Sequence, residues 1–415
     1  MTDADLIRGW CPSLFRPMES GDGWLARVRP VAGVISAGLA LAVADAAIRF
    51  GNGIIEVTNR ANIQIRGLKP TTIAPFTAAI EEAGGAAGEG FLGLISPLLG
   101  ADPTMAPDTA AVMEAVKAAL VALDRVGPRN KSADDDSARD DPAEDDSADA
   151  ERKAPCAPPA VARGPDPRVY PFGRPDNLPA KFGIVIDGGG ALQLTGISLD
   201  VTIRFVQGLW QVNGEACAPE DIPERVQALA GHTTRVTTRT GPAPKPGYHA
   251  QSFTLVMPAF GQMTAEAFAG LARLAQSQGD GNLRPTPWKS LCIAGVAPED
   301  APPLLRQAER LGFITGPDDG RLSITTCAGA PACIRGEVET HPAAAELARH
   351  RQAGDSRIHL SGCVKGCAHP GAAPITLVGR AGRFDLIRDG RTSDMPSIRH
   401  QTLAQIAALG QSLPS

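Results

Sequence analysis

The sequence predicts an α+β protein. Two strand–helix–strand repeats form one composite domain, and each repeat is followed by an α/β segment. Three observations lead there: an ungapped internal repeat, short alternating apolar runs after each copy, and two cysteine pairs at metal-ligand spacing in the second segment. At 415 residues the chain can hold two or three domains with real cores.

The repeat has a fixed offset of 228 residues. Val28 and Pro30 align with Val256 and Pro258, and Gly33 with Gly261. Gly51-Asn52-Gly53 aligns with Gly279-Asp280-Gly281, and Thr58 with Thr286. Ile63, Ile65, Gly67 and Leu68 align with Leu291, Ile293, Gly295 and Val296. Glycine, proline and threonine stay in register with the apolar positions, which chance matching does not supply. In the first copy Trp24–Arg29 reads as a strand, Ser36–Phe50 as a helix and Gly53–Arg66 as a strand pair. In the second the same elements are Ser252–Met257, Thr264–Gln278 and Asn282–Ala294. This is a half-ferredoxin-like pattern, in which each half needs the other to bury its sheet and a pseudo-twofold gives one composite sheet domain with helices on one face.

The expected division is a first repeat at 1–69, a first α/β domain at 70–244, a second repeat at 245–312 and a second α/β domain at 313–415. Strand candidates in the first α/β domain are Lys181–Ile186, Val201–Phe205 and Trp210–Val212. In the second they are Leu322–Thr325, Arg357–Leu360 and Ile375–Val378. A linker at about 128–160 interrupts the first. Within it Asp134–Glu151 holds ten acids against Arg139 alone. Such a run reads as solvated chain without chemistry of its own. Without its −9 the formal charge of −5 becomes +4 for the remainder. That mildly basic body suits an anionic small substrate and is too weak a field to indicate nucleic acid.

The segment Met1–Trp10 carries acids and an arginine but no apolar run, so no secretory signal is expected in it. The longest apolar stretch, Val31–Ile48, is alanine-rich and contains Ser36 and Asp45. A span of about 20 strongly apolar residues is needed to cross a bilayer, so a buried helix is the better reading and no membrane is expected. The expected compartment is the cytoplasm. There, eight cysteines do not read as a disulfide framework, and metal or catalytic roles gain weight.

Cys327 and Cys333 are separated by five residues, and Cys363 and Cys367 by three. Four cysteine thiolates are the usual ligand set of a 4Fe-4S cluster. The small residues Ala328, Gly329, Ala330 and Ala332 leave room for backbone N–H groups to approach cluster sulphurs. The competing readings are four buried free thiols, or structural zinc, for which a gap of five is unusual. Cys11, Cys156, Cys217 and Cys292 have no partner at useful spacing and read as ordinary thiols.

The cysteine pattern, with Gly362-Cys363-Val364-Lys365-Gly366-Cys367 as its second block, resembles the sulfite/nitrite reductase superfamily, as do the paired repeats. Thr58-Asn59-Arg60 followed by Gln64-Ile65-Arg66-Gly67 looks like that family's macrocycle-cradling strand. Leu178-Pro179-Ala180-Lys181-Phe182 looks like its active-site lysine segment. The resemblance covers nearly the whole chain outside the linker. It implies two reductase-type α/β domains, the second binding a 4Fe-4S cluster. In the reductases the cysteine matching Cys367 also bridges to sirohaem. Two departures disfavour anion reduction. A second cage lysine is replaced by Gly183, and a cage arginine expected near Phe91–Ser96 is missing. Each lost cation removes a charge-assisted contact of about 1.5–3 kcal/mol.

Arg8-Gly9-Trp10-Cys11-Pro12, Met18-Glu19-Ser20-Gly21-Asp22-Gly23 and Ser361–Pro370 are similar to the superfamily's oxygen-dependent branch in aerobic cobalamin synthesis. That resemblance implies hydroxylation of precorrin-3A, an anionic tetrapyrrole, at the meso carbon between rings A and D. A γ-lactone then forms from the ring A acetate. It also implies dioxygen as co-substrate, an unidentified electron donor and a mononuclear non-haem iron. His359 and His369 flank the second cysteine pair, yet no spacing identifies ligands for that iron. For these histidines a structural or supporting role is the stronger expectation. Arginine forks pair bidentately with carboxylates. The candidate substrate contacts are therefore Arg27, Arg29, Arg60, Arg66, Lys181 and Arg284, with Arg29, Arg60 and Lys181 at family positions facing the macrocycle. Any single one of them reads equally well as a structural cation. The alternative activity is a sirohaem-dependent sulfite or nitrite reductase. A cluster carrier without catalysis is a third class, against which the paired repeats argue.

Overall fold

The computed structural model describes residues 11–89, 93–125, 178, 182–230, 238–239, 241–250, 253–352 and 354–410. The acidic run Asp134–Glu151, Cys156 and Lys181 lie outside them. The first repeat opens with the hairpin β1 (Met18–Ser20) and β2 (Gly23–Val28). It continues through β3 (Ile35–Ser36), α1 (Ala37–Phe50), β4 (Ile54–Val57), β5 (Ile63–Leu68) and α2 (Pro70–Glu82). Ser36 caps α1, its hydroxyl accepting the Leu39 N–H at 3.2 Å. The first α/β segment contains β6 (Gly93–Ile95), α3 (Thr109–Arg125), β7 (Ile184–Asp187), β8 (Ile197–Ser198), β9 (Val201–Val206), β10 (Leu209–Val212), β11 (Glu215–Ala216), α4 (Ile222–Ala230) and β12 (Thr238–Arg239).

The second repeat contains β13 (Gly247–His249), β14 (Phe253–Val256), β15 (Gln262–Thr264), α5 (Ala265–Gln278), β16 (Asn282–Pro285), β17 (Leu291–Ala294) and α6 (Ala301–Arg310). Helices α1 and α5, and strands β4 and β16, begin and end 228 residues apart. Thr264 caps α5 as Ser36 caps α1, accepting the Ala267 N–H at 3.2 Å. The two helices pack on each other, and most of their buried residues are small, Ala37, Ala40, Ala44, Ala46 and Ala47 in one and Ala265, Ala267, Ala269, Ala272 and Ala275 in the other. Alanine surfaces allow close helix approach. No helix among the described residues is long and apolar enough to cross a membrane.

The two repeats carry two five-stranded sheets, ordered β1-β2-β5-β4-β15 and β13-β14-β17-β16-β3. Each is completed by a short strand lent from the other copy. β15 pairs antiparallel with β4, and β3 with β16. One hydrophobic core runs through both copies, from Ile55, Ile65 and Phe76 to Phe268, Leu283 and Phe313.

The last segment contains β18 (Ile324–Thr326), α7 (Thr340–Ala348), β19 (Ile358–Ser361), β20 (Ala373–Arg380), β21 (Arg383–Gly390), β22 (Ile398–Gln401) and α8 (Leu403–Gly410). Strands β18, β19 and β20 are parallel neighbours, and β21 and β22 add antiparallel. The first α/β segment repeats this arrangement, with β6, β7 and β9 parallel and β10 and β11 antiparallel. Strand β18 starts two residues later than its candidate. Asp319 accepts the Arg321 N–H at 2.9 Å and turns 320–323 into a 3-10 segment.

The matched caps give a prediction. Ser36→Ala and Thr264→Ala should each lower the unfolding free energy by about 1 kcal/mol. Urea unfolding of the two variants checks this, and no loss in either would remove the caps from the account.

Candidate metal centre and anion-binding face

Parallel strands carry their carboxyl ends to the same edge of a sheet, where ligands gather in open α/β sheets. β18 ends at Thr326, one residue before Cys327, and β19 at Ser361, two residues before Cys363. The register pairs Thr326 with Leu360, so the two cysteine loops leave the sheet side by side. The Gly362 N–H donates to Cys327 Sγ at 3.2 Å. A side chain at Gly362 would begin 3.0 Å from the Gly329 Cα and 3.6 Å from Cys327 Sγ, so the loops meet backbone against backbone.

Cys327, Cys333 and Cys363 are half-buried and Cys367 is exposed on one side. Burial pushes the Cys363 thiol up from its ordinary value. Lys365 opposes the shift, and Cys327 and Cys333 add to it. Desolvation pushes Cys367 up to about 11; Lys365 opposes the shift and the other three thiols add to it. The four cysteines thus share one neighbourhood, in which Cys363 and Cys367 resist ionisation. A cation among them reverses that balance and holds all four as thiolates. No three His, Cys, Asp or Glu among the described residues converge on a single-ion position. A cubane makes no such demand, since its four thiolates each take a different iron.

His359 lies on β19 beneath the second cysteine loop. It is 1% exposed, and neither ring nitrogen has a hydrogen-bond partner among the described residues. Its ring meets His369 edge-on at 5.6 Å. Burial, then the His369 charge, holds its pKa down at about 4, so the ring is neutral.

The outer face of the first sheet is polar where its inner face is core. Arg27, Gln64, Glu56 and Gln262 stand opposite one another on β2, β5, β4 and β15. Arg27 Nε donates to Gln64 Oε1 at 2.9 Å, the Gln64 amide donates to Glu56, and Gln262 Nε2 donates to Glu56 Oε1 at 3.3 Å. The positions of the second sheet equivalent to Arg27 and Gln64, Leu255 and Cys292, are apolar, and that equivalent to Glu56 is Arg284. Leu255 and Cys292 pack on Leu98, Met105 and Leu192 of the first α/β segment. His341, at the start of α7, has its pKa lowered by burial, with Glu56 opposing and Lys289 and Arg66 reinforcing the shift. The cysteine-bearing segment therefore borders the polar face.

Arg27, Arg29 and Arg60 come together at one end of that face. Burial depresses the Arg27 guanidinium, Cys11 opposes the shift, and Arg60 and Arg29 deepen it. Arg29 Nε lies 4.0 Å from Glu89 Oε2, a buried carboxylate that desolvation keeps above its ordinary range. Arg66 and Arg284 are placed differently. Arg66, 3% exposed, gives its fork to Asp22 through Nε and Nη2, both at 2.9 Å, and donates to Glu56 at 3.3 Å. Arg284, equally buried, gives its fork to Asp280.

Sequence reasoning passed over Asp22, Glu56, Gln262, Glu89 and His341. Strand alternation marks Glu56 and Gln262 as outward residues, and Asp22 belongs to the quoted Ser20-Gly21-Asp22 motif. Glu89 and His341 join the face only through tertiary packing.

Residues 16–83 and 245–311 match the profile described as the nitrite/sulfite reductase ferredoxin-like half domain. The chain is 31% identical over 408 residues to a precorrin-3B synthase of Sinorhizobium sp, spanning 95% of this chain and 86% of that protein. A sulfite reductase [NADPH] hemoprotein beta-component of Xanthomonas campestris pv. campestris is 38% identical over 144 residues, 31% of this chain and 24% of that protein. The NirA protein of Mycobacterium tuberculosis shares the fold, with a TM-score of 0.58 and 17% identity over 93% of this chain and 79% of that one.

The His359 environment sets a pH dependence. An unfolded histidine titrates near ~6.5, whereas this one waits until about 4. Between those values the unfolded chain binds the proton and the folded chain does not, so stability falls as pH drops through the window. His359→Phe should flatten the slope. Urea midpoints from pH 6.5 to 4.5 in both proteins provide the check, and equal slopes would refute a neutral buried ring.

Proposed function

We propose a precorrin-3B synthase activity for this chain, which belongs to the precorrin-3B synthase family within the nitrite/sulfite reductase superfamily. The carrying observation is similarity along nearly the full length of the Sinorhizobium protein, whereas the reductase matches cover under a third of the chain. The substrate is precorrin-3A. One C–H bond of the meso carbon between rings A and D, dioxygen, two electrons and two protons become a C–OH group and water. The ring A acetate carboxyl then adds across the adjoining ring A double bond, its oxygen to carbon and its proton to the macrocycle, and closes a γ-lactone with no further atoms exchanged.

Cys327, Cys333, Cys363 and Cys367 would hold a 4Fe-4S cluster, which when bound supplies electrons one at a time. The supporting features are the shared edge of β18 and β19 and the mutual burden of the thiols. Arg27, Arg29 and Arg60 would bind substrate carboxylates, and Lys181 joins them by its match to the family's lysine segment. Burial and then the Arg60 and Arg29 charges depress the Arg27 guanidinium, and an incoming carboxylate would relieve that burden. Arg66 and Arg284, whose forks already hold Asp22 and Asp280, would keep the strands in place. Gln64 and Glu56 fix the Arg27 side chain, so a carboxylate meets a guanidinium already oriented. No step is assigned to a mononuclear iron, because no ligand set among the described residues supports one. The division at 1–69, 70–244, 245–312 and 313–415, a cytosolic setting and an electron donor binding near the cysteine loops complete the proposal.

Anaerobically purified protein given precorrin-3A, reductant and then oxygen-18 gas should yield a product one labelled oxygen heavier by mass spectrometry. Sulfite or nitrite turnover without such a product would overturn the assignment. Arg27→Ala should raise KM roughly tenfold or more, the loss of one charge-assisted contact, with a smaller effect on kcat.

A further inference from the structure

The carbonyl oxygen of Ala332 immediately precedes the candidate ligand Cys333, and it is held from outside its own segment. Three donors reach it, all from the first repeat. Ser20 Oγ donates at 2.6 Å, the Gly21 N–H at 3.2 Å, and Arg66 Nη2 also donates to it. Arg66 Nη2 bonds Ser20 Oγ as well, at 3.0 Å. The fork is kept in place by Asp22 and Glu56, so its aim does not depend on the cysteine loop. Gly21 permits the approach, since a Cβ there would lie 2.2 Å from the Pro331 carbonyl oxygen and 2.8 Å from the Cys333 carbonyl carbon. The β1–β2 turn and the loop are thus in backbone contact.

We propose that Ser20, Gly21 and Arg66 form a socket that positions Cys333, so that the first repeat is a structural part of the metal centre in the last segment. None of the three touches a substrate or a reacting atom in this role; they act through the Ala332 carbonyl. This rests on the reading of the four cysteines as cluster ligands and deepens it. Within the first cysteine loop the backbone of Cys333 is tied on both sides, but the Ala332 carbonyl is held by the first repeat. The Cys333 N–H bonds the Gly329 carbonyl, the Gly336 N–H bonds the Cys333 carbonyl, and Ile334 beside it is 73% exposed. Fixing the carbonyl before Cys333 limits how far that thiol can swing. The buried guanidinium also offsets the negative charge of Asp22 and Glu56 beside the loop, and losing it would disfavour the extra negative charge of a reduced cluster. Ser20 and Arg66 therefore influence both retention of the metal centre and its potential.

The test uses the full chain, purified or reconstituted anaerobically, with Ser20→Ala, Ser20→Thr, Arg66→Lys and Arg66→Met. Iron and sulphide content, cluster release to a chelator, the EPR spectrum of the reduced protein and its midpoint potential are measured beside circular dichroism. Ser20→Ala leaves the Arg66 ion pairs intact and removes one hydrogen bond, so release should quicken about three- to tenfold. Ser20→Thr, which keeps a hydroxyl, should restore the wild-type rate. Arg66→Met should lower the potential and Arg66→Lys should shift it less. If Arg66→Met does not fold, the Ser20 pair still decides the matter. Release rate, EPR spectrum and potential all unchanged in Ser20→Ala and in folded Arg66 variants would overturn the socket. Absence of iron and sulphide from the wild-type chain would instead overturn the cluster reading itself.

Discussion

The parallel pairing of β18 with β19 is the constraint on which the site depends. Two cysteine pairs thirty residues apart in sequence have no local reason to meet. They meet because the two strands run the same way, in register from Ile324 opposite Ile358 to Thr326 opposite Leu360, and release their loops at one edge. A one-residue slip would turn Thr326 and Leu360 to opposite faces and separate the loops. The first α/β segment has the same strand order and fills the corresponding edge with its own side chains. Asp187 accepts from Ser96 Oγ at 3.1 Å and from the Gly189 and Leu194 N–H groups at 3.2 and 2.8 Å. One topology thus yields a thiol-lined edge in one segment and a self-satisfied polar edge in the other.

The paired repeats diverge in the same manner. Their inner faces share a core, and the lent strands β3 and β15 tie each sheet to the other copy. Their outer faces differ in chemistry. Arg27, Gln64, Glu56 and Arg66 on the first are matched 228 positions later by Leu255, Cys292, Arg284 and Ala294. The second face is buried against Leu98, Met105 and Leu192, which leaves the polar first face to border the cysteine-bearing segment. The two copies share a scaffold and differ at a handful of outward positions.

Much of this was legible in the sequence, because glycine, proline and alternating apolar residues report backbone geometry directly. The repeat offset located α1, α5 and the strands around them, and the two cysteine blocks marked the loops after β18 and β19. Strand exchange was not legible. β3 and β15 have two and three residues, too few to show a period, and their partners lie in the other copy. The roles of the arginines were not legible either. Arg27 and Arg66 have the same residue type and the same outward alternation. Only tertiary contacts show that one joins a cationic cluster while the other is engaged by Asp22, Glu56 and Ala332.

The central claim is that two loops from adjacent parallel strands enclose one iron–sulphur cubane. Mössbauer spectroscopy of iron-57-labelled protein, grown and purified without air, addresses it most directly. The account predicts about four irons per chain, all in tetrahedral sulphur environments and magnetically coupled. Iron confined to isolated nitrogen and oxygen sites, or a folded protein that binds none, would contradict it.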